Sequence, residues 1–317
     1  MPNWCGKLST RTVARVRISS LVALVVGAAL GTAASLPGQQ TYSTTVVLLG
    51  TGTPVPDPAA SGPATAVVVG DRLFLFDAGA GVMRRLAAAH LPTNGVTALF
   101  LTHLHTDHTL GYPDLIFTSW VMGRHHPFPV FGPHGISAMT DHIVAAWAED
   151  EDIRTNGLEH DAPNGFAVAV HEVTSGVVYD SGGVRVTVIP VLHGSWKESL
   201  GYRVDTPTRS VVISGDTRPS GALIAAARGV DVLVHEVYPE ARLAPEKRPG
   251  GEDWPRYMHE FHTSDVELGR IAAAAKPRLL ILTHIIRMGS TDAELLAGVK
   301  AGGFTGRAVV GHDLQRY

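Results

Sequence analysis

Cysteine is almost missing from this chain: Cys5 is the only one among 317 residues. That excludes a disulfide framework, and it excludes zinc held by thiolates. Any metal must take imidazole and carboxylate ligands, which gives weight to the 16 histidines. A basic surplus is missing as well. The chain carries 26 Lys plus Arg against 29 Asp plus Glu, for a net charge of −3. Residues 1–35 hold four of the basic residues (Lys7, Arg11, Arg15 and Arg17) and no acidic one, so the remainder is close to −7. Such a surface offers a polyanion no general attraction, and nucleic acid is not expected as a partner.

Long uncharged apolar runs are also lacking, with residues 18–34 the exception. The four basic residues precede that run, and Ala33, Ala34 and Ser35 follow it before Leu36 and Pro37. A basic start, an apolar middle and a small-residue exit describe an export signal over residues 1–35. The expectation is an exported protein, periplasmic or secreted, with no stable membrane association after cleavage. An uncleaved anchor is the alternative, although 17 residues rich in Ala and Gly fall short of the roughly 20 that a span needs. Cys5 precedes the run and so is not a lipoprotein cysteine, which must follow it. What remains is long enough for one large domain with a full core, expected over residues 44–317.

Beyond residue 44 the sequence alternates between strand-like and helix-like runs, with no fixed-period repeat. Val46-Val47-Leu48-Leu49 runs into the glycine-rich Gly50-Thr51-Gly52-Thr53. Two further strands, at 66–69 and 73–77, flank a Gly70-Asp71 turn, and a helix is expected over 81–90. The strand at 98–102 stops where a histidine cluster begins. The strand at 184–191 leads to His193, the strand at 210–214 to Asp216, and the run at 230–234 to His235-Glu236. A helix over 263–275, with Thr263 or Ser264 as N-cap and Pro277 beyond its end, precedes a strand at 279–283 and His284. Residues 244–254, rich in Pro, Gly and charge, are expected to form a surface loop. Metal-type residues thus recur just past the C-terminal ends of apolar strands, where layered α/β folds place their sites.

His103-Leu104-His105-Thr106-Asp107-His108 is the strongest chemical signal, with three histidines and an aspartate in six positions. In a tight loop His103 and His105 can point one way while Asp107 and His108 turn toward a second centre. Imidazole and carboxylate suit Zn²⁺ and tolerate Mn²⁺ or Fe²⁺. Asp77, in Phe-Asp-Ala-Gly, is expected to orient a ligand histidine.

This loop resembles the His-x-His-x-Asp-His hallmark of the metallo-β-lactamase superfamily, and the likeness extends over nearly all of residues 44–317. The resemblance implies an α/β fold, the four-layer αββα sandwich. It also implies a dinuclear zinc hydrolase in which one metal has His103, His105 and His193, the other has Asp107, His108 and His284, and Asp216 joins them. Two such ions activate a shared water while orienting an electrophile, and Asp107 can both bind metal and accept a hydrogen bond from that water. A finer resemblance is to the tRNA 3′-processing endonucleases (tRNase Z) and to arylsulfatases sharing their motifs. It rests on Gly50-Thr51-Gly52-Thr53, Gly132-Pro133-His134-Gly135, Leu200-Gly201-Tyr202-Arg203, His235-Glu236 and Phe261-His262-Thr263-Ser264. In that branch a glutamate at the place of Glu236 orients a histidine at the place of His262, which protonates the leaving oxygen. His312-Asp313 is read as supporting the site.

The tRNA-processing members carry an arm that grips tRNA between the residues matching His193 and Asp216. Here those residues are only 23 positions apart. With the export signal and the acidic balance, this favours a small aryl sulfate or phosphate ester as substrate. The alternatives are a tRNase Z-like endoribonuclease and a lactonase or β-lactamase. Against the last stands the Glu236–His262 pair, because strained rings need little leaving-group protonation. The pocket wall is expected from residues 117–131, with Trp120, His125, His126 and Phe128, and from Trp196. Those aromatics either hold an aryl group or pack the core, and Lys197 and Arg203 either meet substrate charge or are solvated. The oligomeric state is left open, a homodimer included.

Overall fold

The computed structural model describes residues 43–246, 248 and 250–317. The expected export signal lies outside the described residues. No helix among those described is long and apolar enough to cross a membrane.

Two mixed sheets form the body. The first contains β1 (Thr44–Gly50), β2 (Ala64–Val69), β3 (Arg72–Phe76), β4 (Val96–Phe100), β5 (Phe128–Gly132) and β6 (Val168–Glu172), paired in that order. The second contains β7 (Gly176–Ser181), β8 (Val184–Val191), β9 (Ser199–Asp205), β10 (Ser210–Ile213), β11 (Val232–Val237), β12 (Leu279–Ile285) and β13 (Arg307–Val310), also in sequence order. Helices α1 (Val82–Ala88), α2 (Thr106–Thr109), α3 (Tyr112–Val121), α4 (Ile136–Ala146) and α5 (Ala148–Asn156) belong to the first half. Helices α6 (Gly221–Ala226), α7 (Trp254–Phe261), α8 (Asp265–Ala275) and α9 (Asp292–Ala301) belong to the second.

The layering follows from the two-residue period of the strands. In β1, Val47 and Leu49 pack with Leu86 of α1 and with Leu115 and Ile116 of α3. Their neighbours Val46 and Leu48 face the other sheet, meeting Val186, Tyr202 and Val234. Strands β10 and β11 repeat the pattern: Val211 and Val232 face the first sheet, while Val212 and Leu233 pack on Leu223, Leu268 and Leu295 of α6, α8 and α9. The three apolar layers separate four layers of secondary structure, the αββα sandwich. A strand buried on both faces reads as a continuous apolar run, as residues 46–49 of β1, 232–234 of β11 and 279–282 of β12 do.

From β3 to β6 and from β10 to β13 neighbouring strands are parallel. Their C-terminal ends therefore lie along one edge of each sheet, and the chemistry-bearing loops leave from there. The last residues return to the first strand, with Leu48 N–H donating to Gln315 O (3.0 Å) and Val46 N–H to Tyr317 O (3.0 Å).

Candidate metal centre and active site

Past β4 the chain reaches His105 in extended backbone (φ −60°, ψ 148°), and the His103 and His105 rings meet on one side. The chain then turns into the single turn α2, whose His108 N–H donates to His105 O (3.2 Å), and this curl aims Asp107 and His108 elsewhere. The turn seats against the loop after β3: Ala78 N–H donates to His108 O (2.9 Å). Gly79 allows the approach, since a Cβ there would lie 2.6 Å from the Asp107 carbonyl.

The structure brings all seven ligand candidates together in two adjoining sets. In the first, His103 Nε2 is 2.9 Å from His105 Nδ1, and His193 Nε2 is 3.2 Å from the same atom. Asp216 Oδ2 lies 3.9 Å from His103 Nε2 and 3.8 Å from His193 Nε2. In the second, Asp107 Oδ2 is 3.2 Å from His284 Nε2 and 3.6 Å from His108 Nε2. Asp216 is 3.4 Å from His108 through Oδ1 and 3.5 Å from His284 through Oδ2, so its carboxylate faces both sets. Ligands held tetrahedrally at about 2.0–2.2 Å from one ion stand roughly 3.4 Å apart. These separations bracket that spacing. The buried His108 Nε2 and Asp216 Oδ1 find no hydrogen-bond partner among the described residues, and a buried polar atom left so is costly. The donor set therefore fits divalent cations.

Electrostatics point the same way. Burial by itself pushes the Asp216 carboxyl up, but the His284 and His108 imidazoles overcome it and hold the group well below its usual range. Burial depresses His108, yet the carboxylates of Asp216 and Asp77 outweigh it and favour positive charge at that ring.

Groups behind the ligands fix their rings. Asp77 Oδ2 accepts from His108 Nδ1 (2.8 Å), and the same carboxylate takes the Thr102 N–H (2.8 Å) and hydroxyl (3.0 Å). His193 Nδ1–H donates to Phe261 O (2.7 Å), which leaves Nε2 free to face the site. Asp77 and His284 adopt left-handed backbone, φ 60° and 42°, an unfavourable state that packed surroundings must enforce. His105 differs from the others: the Trp196 indole N–H donates to its Nε2 at 2.8 Å.

Beside the two sets sits His262, the C-cap of α7, with Nδ1 3.3 Å from Glu236 Oε2. The pair is within Coulombic reach but off the line of a hydrogen bond. Glu236 is pinned through Oε1, which accepts the N–H groups of Thr217 and Thr263 (3.1 Å each). Burial pushes the Glu236 carboxyl up, and neighbouring His262 pulls it back. His262, Asp107, Asp216 and His284 all line one cavity of about 880 Å³.

The walls of that cavity differ from the sequence expectation. Trp120 and Phe128 are core residues packed with Tyr112 and Leu115, while His125 and His126 are exposed. None of residues 117–131 lines the cavity. Aromatic rings at a helix or strand position carry no mark of which layer they will face. The described residues from 244 to 253 form an irregular, largely exposed loop as expected, and with Trp254 at the start of α7 the stretch also contributes Arg248 and Trp254 to the cavity. Lys197 is exposed, and Arg203 is engaged by Asp205 (2.8 Å) and the Ala226 carbonyl (2.6 Å). Asp313 acts at a distance from the ligands: it accepts from Thr51 N–H (2.9 Å) and Ser61 N–H (2.8 Å), tying the glycine-rich loop in place. His312 pairs with Asp292 (2.8 Å).

A family model described as a β-lactamase superfamily domain matches residues 72–285, which hold every ligand candidate. The chain belongs to this superfamily. A ribonuclease Z from Mycobacterium sp. strain KMS is 40% identical over 246 residues, 76% of this chain and 84% of the relative. A ribonuclease Z from Mycobacterium bovis BCG is 34% identical, over 86% of this chain and 96% of the relative. Among solved structures, the metallo-β-lactamase fold protein YhfI of Bacillus subtilis superposes with a TM-score of 0.67 at 19% identity, covering 86% of this chain and 98% of that one. Human tRNase Z, short form, gives 0.65 at 21%, with the same coverage. These likenesses establish the fold, and with the relatives they establish a metal-dependent hydrolase of ester bonds.

They also correct two expectations. A small aryl sulfate or phosphate ester gives way as the main reading, because the sequence relatives are ribonucleases. The exclusion of nucleic acid gives way with it. Net charge is an average over the whole surface, and it says little about what one cavity with a cation site will accept.

Proposed function

We propose that this protein is a ribonuclease Z-type endoribonuclease, hydrolysing a phosphodiester near the 3′ end of RNA, precursor tRNA being the first candidate. The observation that carries the reading is the buried His262–Glu236 pair beside the ligand sets, a proton donor suited to a poor leaving group. The kinship with ribonucleases Z supports it. His103, His105, His193 and Asp216 would hold one ion and Asp107, His108 and His284 the other, with Asp216 shared. The donor chemistry favours zinc and tolerates Mn²⁺ or Fe²⁺. When bound, such ions supply an activated water and offset the charge on the phosphate.

The protein's own residues do the rest. Asp107 orients the attacking water by accepting a hydrogen bond from it, and takes up the proton that the water sheds. As the water oxygen bonds to phosphorus, the bond from phosphorus to a ribose oxygen breaks, and His262 gives that oxygen a proton. Glu236, 3.3 Å from the ring, orients the imidazole. One strand leaves with a hydroxyl and the other with a phosphate monoester.

The test is incubation of the zinc-loaded protein with a precursor tRNA bearing a 3′ trailer. A single endonucleolytic cut at the trailer is expected, and intact RNA under conditions where a ribonuclease Z control cuts would refute the reading. Export over residues 1–35 is a separate proposal, resting on the basic, apolar and small-residue pattern. Mass spectrometry of native protein should find a mature N-terminus near Leu36. Full-length cytoplasmic protein would remove export and leave precursor tRNA within reach.

A further inference from the structure

The outer wall of the cavity carries a ladder of flat groups with no place in the mechanism above. On α7, the Trp254 and Tyr257 rings stack with centroids 5.4 Å apart and planes 11° apart. Tyr257 stacks on Phe261 at 4.3 Å and 18°. The Arg248 guanidinium lies over the other end, 3.5 Å from the Trp254 ring centroid. The ladder is anchored at the metal centre. Phe261 meets the ligand His193 edge-on at 5.0 Å, and it fills the space where a Cβ on Gly194 would sit, 2.1 Å away. From there it runs outward, and Tyr257, Trp254 and Arg248 line the cavity.

A helix stripe at this spacing ordinarily packs a core. Here Trp254 and Tyr257 are only half-buried and face open space. Charge among the described residues of the outer cavity balances, so they offer no surplus to grip a phosphate backbone. Arg242, Arg248 and Arg287 are matched by Asp57, Glu246 and Glu252, and Arg287 is held by Asp292 at 2.8 Å. A stacking face is what this wall has to offer. Arg248 marks the seat: a planar, delocalised group already lies face-on there, with an ion pair to Glu246 (3.2 Å) and a buried Nε that has no hydrogen-bond partner among the described residues. A base taking that seat would replace the guanidinium's contact with the ring by its own stacking.

We propose that this ladder is a stacking platform for a nucleobase flanking the scissile phosphate, with the base taking the place of Arg248 on Trp254. The substrate is then RNA that is single-stranded at the cut, read by its π-face and hence with little regard to sequence. The inference rests on the ribonuclease reading. It also gives a grip to a chain with only β9 and β10 between His193 and Asp216.

The experiment compares the zinc-loaded wild type with Trp254→Ala and Trp254→Phe on two RNAs. One is normal, and the other is abasic at the nucleotides flanking the cut. On normal RNA, Trp254→Ala should raise KM about 5- to 150-fold, the equivalent of about 1–3 kcal/mol per stacked base, with kcat changing far less. Trp254→Phe should restore most of the loss. Wild type on abasic RNA should already show the raised KM, and Trp254→Ala should add almost nothing there. Zinc content should match across variants. An equal cost of Trp254→Ala on both RNAs, or no cost on either, would overturn the platform while leaving the ribonuclease reading intact. A wild type that cuts neither RNA would bring down both.

Discussion

Removing His262 is the most informative perturbation of the chemistry. The ring is buried, its Nδ1 is 3.3 Å from Glu236 Oε2, and its centroid is 5.2 Å from His193 and 6.0 Å from His284. A phosphate lodged between the ligand sets is therefore within reach of its second nitrogen. A general acid contributes about 10²–10⁴-fold, or roughly 3–5 kcal/mol at 1.36 per decade. His262→Ala should cost that much on RNA, where the departing ribose oxygen is a poor leaving group. With bis(p-nitrophenyl) phosphate the loss should shrink below about tenfold, because nitrophenolate departs without a proton. Glu236→Gln keeps an oxygen for the Thr217 and Thr263 N–H groups but turns an NH₂ toward His262. The lost charged contact predicts a drop on RNA smaller than that of His262→Ala, with the same leaving-group trend. The assay is kcat/KM across phosphodiesters of graded leaving-group pKa, with zinc measured in each variant. A uniform loss on every ester, or a loss that tracks missing zinc, would refute the acid role.

Asp216→Ala should empty both metal positions and abolish turnover, whereas His284→Ala should loosen one ion, as counted by elemental analysis of metal-replete protein; two retained ions in the Asp216 variant would refute the shared carboxylate. Asp77→Asn, which weakens the hold on His108, should cost about 10–100-fold in metal affinity by chelator competition, and unchanged affinity would refute its role. Because Trp196 N–H donates to His105 Nε2, an ion on Nδ1 would move the ring proton to Nε2 and set two N–H groups against each other. Zinc titration of the stripped protein should therefore change tryptophan fluorescence in the wild type and not in Trp196→Phe, and an equal change in both would refute the argument. Burial pulls His235 down to about 4 from its ordinary 6.5, so the unfolded chain takes up its proton first. Stability from this group is complete above pH 6.5 and is lost as pH falls toward 4, by roughly 3 kcal/mol. Denaturant melts of metal-free His235→Asn should show that much less acid sensitivity than wild type, and parallel pH profiles would refute it.

The sequence by itself determined where the chemistry hangs. Ligand-type residues follow β4, β8 and β10 and sit near the end of β12, because a buried strand must be apolar on both faces and the first polar residue beyond it marks the sheet edge. The start of α8 was equally local: Thr263 or Ser264 stood out as its N-cap, and the structure gives the place to Ser264, whose capping box with Glu267 lies within one turn. Only the tertiary structure decided what stands opposite what. Asp77 on His108, the Phe261 carbonyl on His193 and Trp196 on His105 pair residues 31, 68 and 91 positions apart, and no periodicity records such distances. The cavity wall was misplaced for the same reason. Trp120 and Trp254 look alike as letters, yet one is sealed between a sheet and its helices while the other faces the cavity, because burial belongs to the layer a helix lands on and not to the residue.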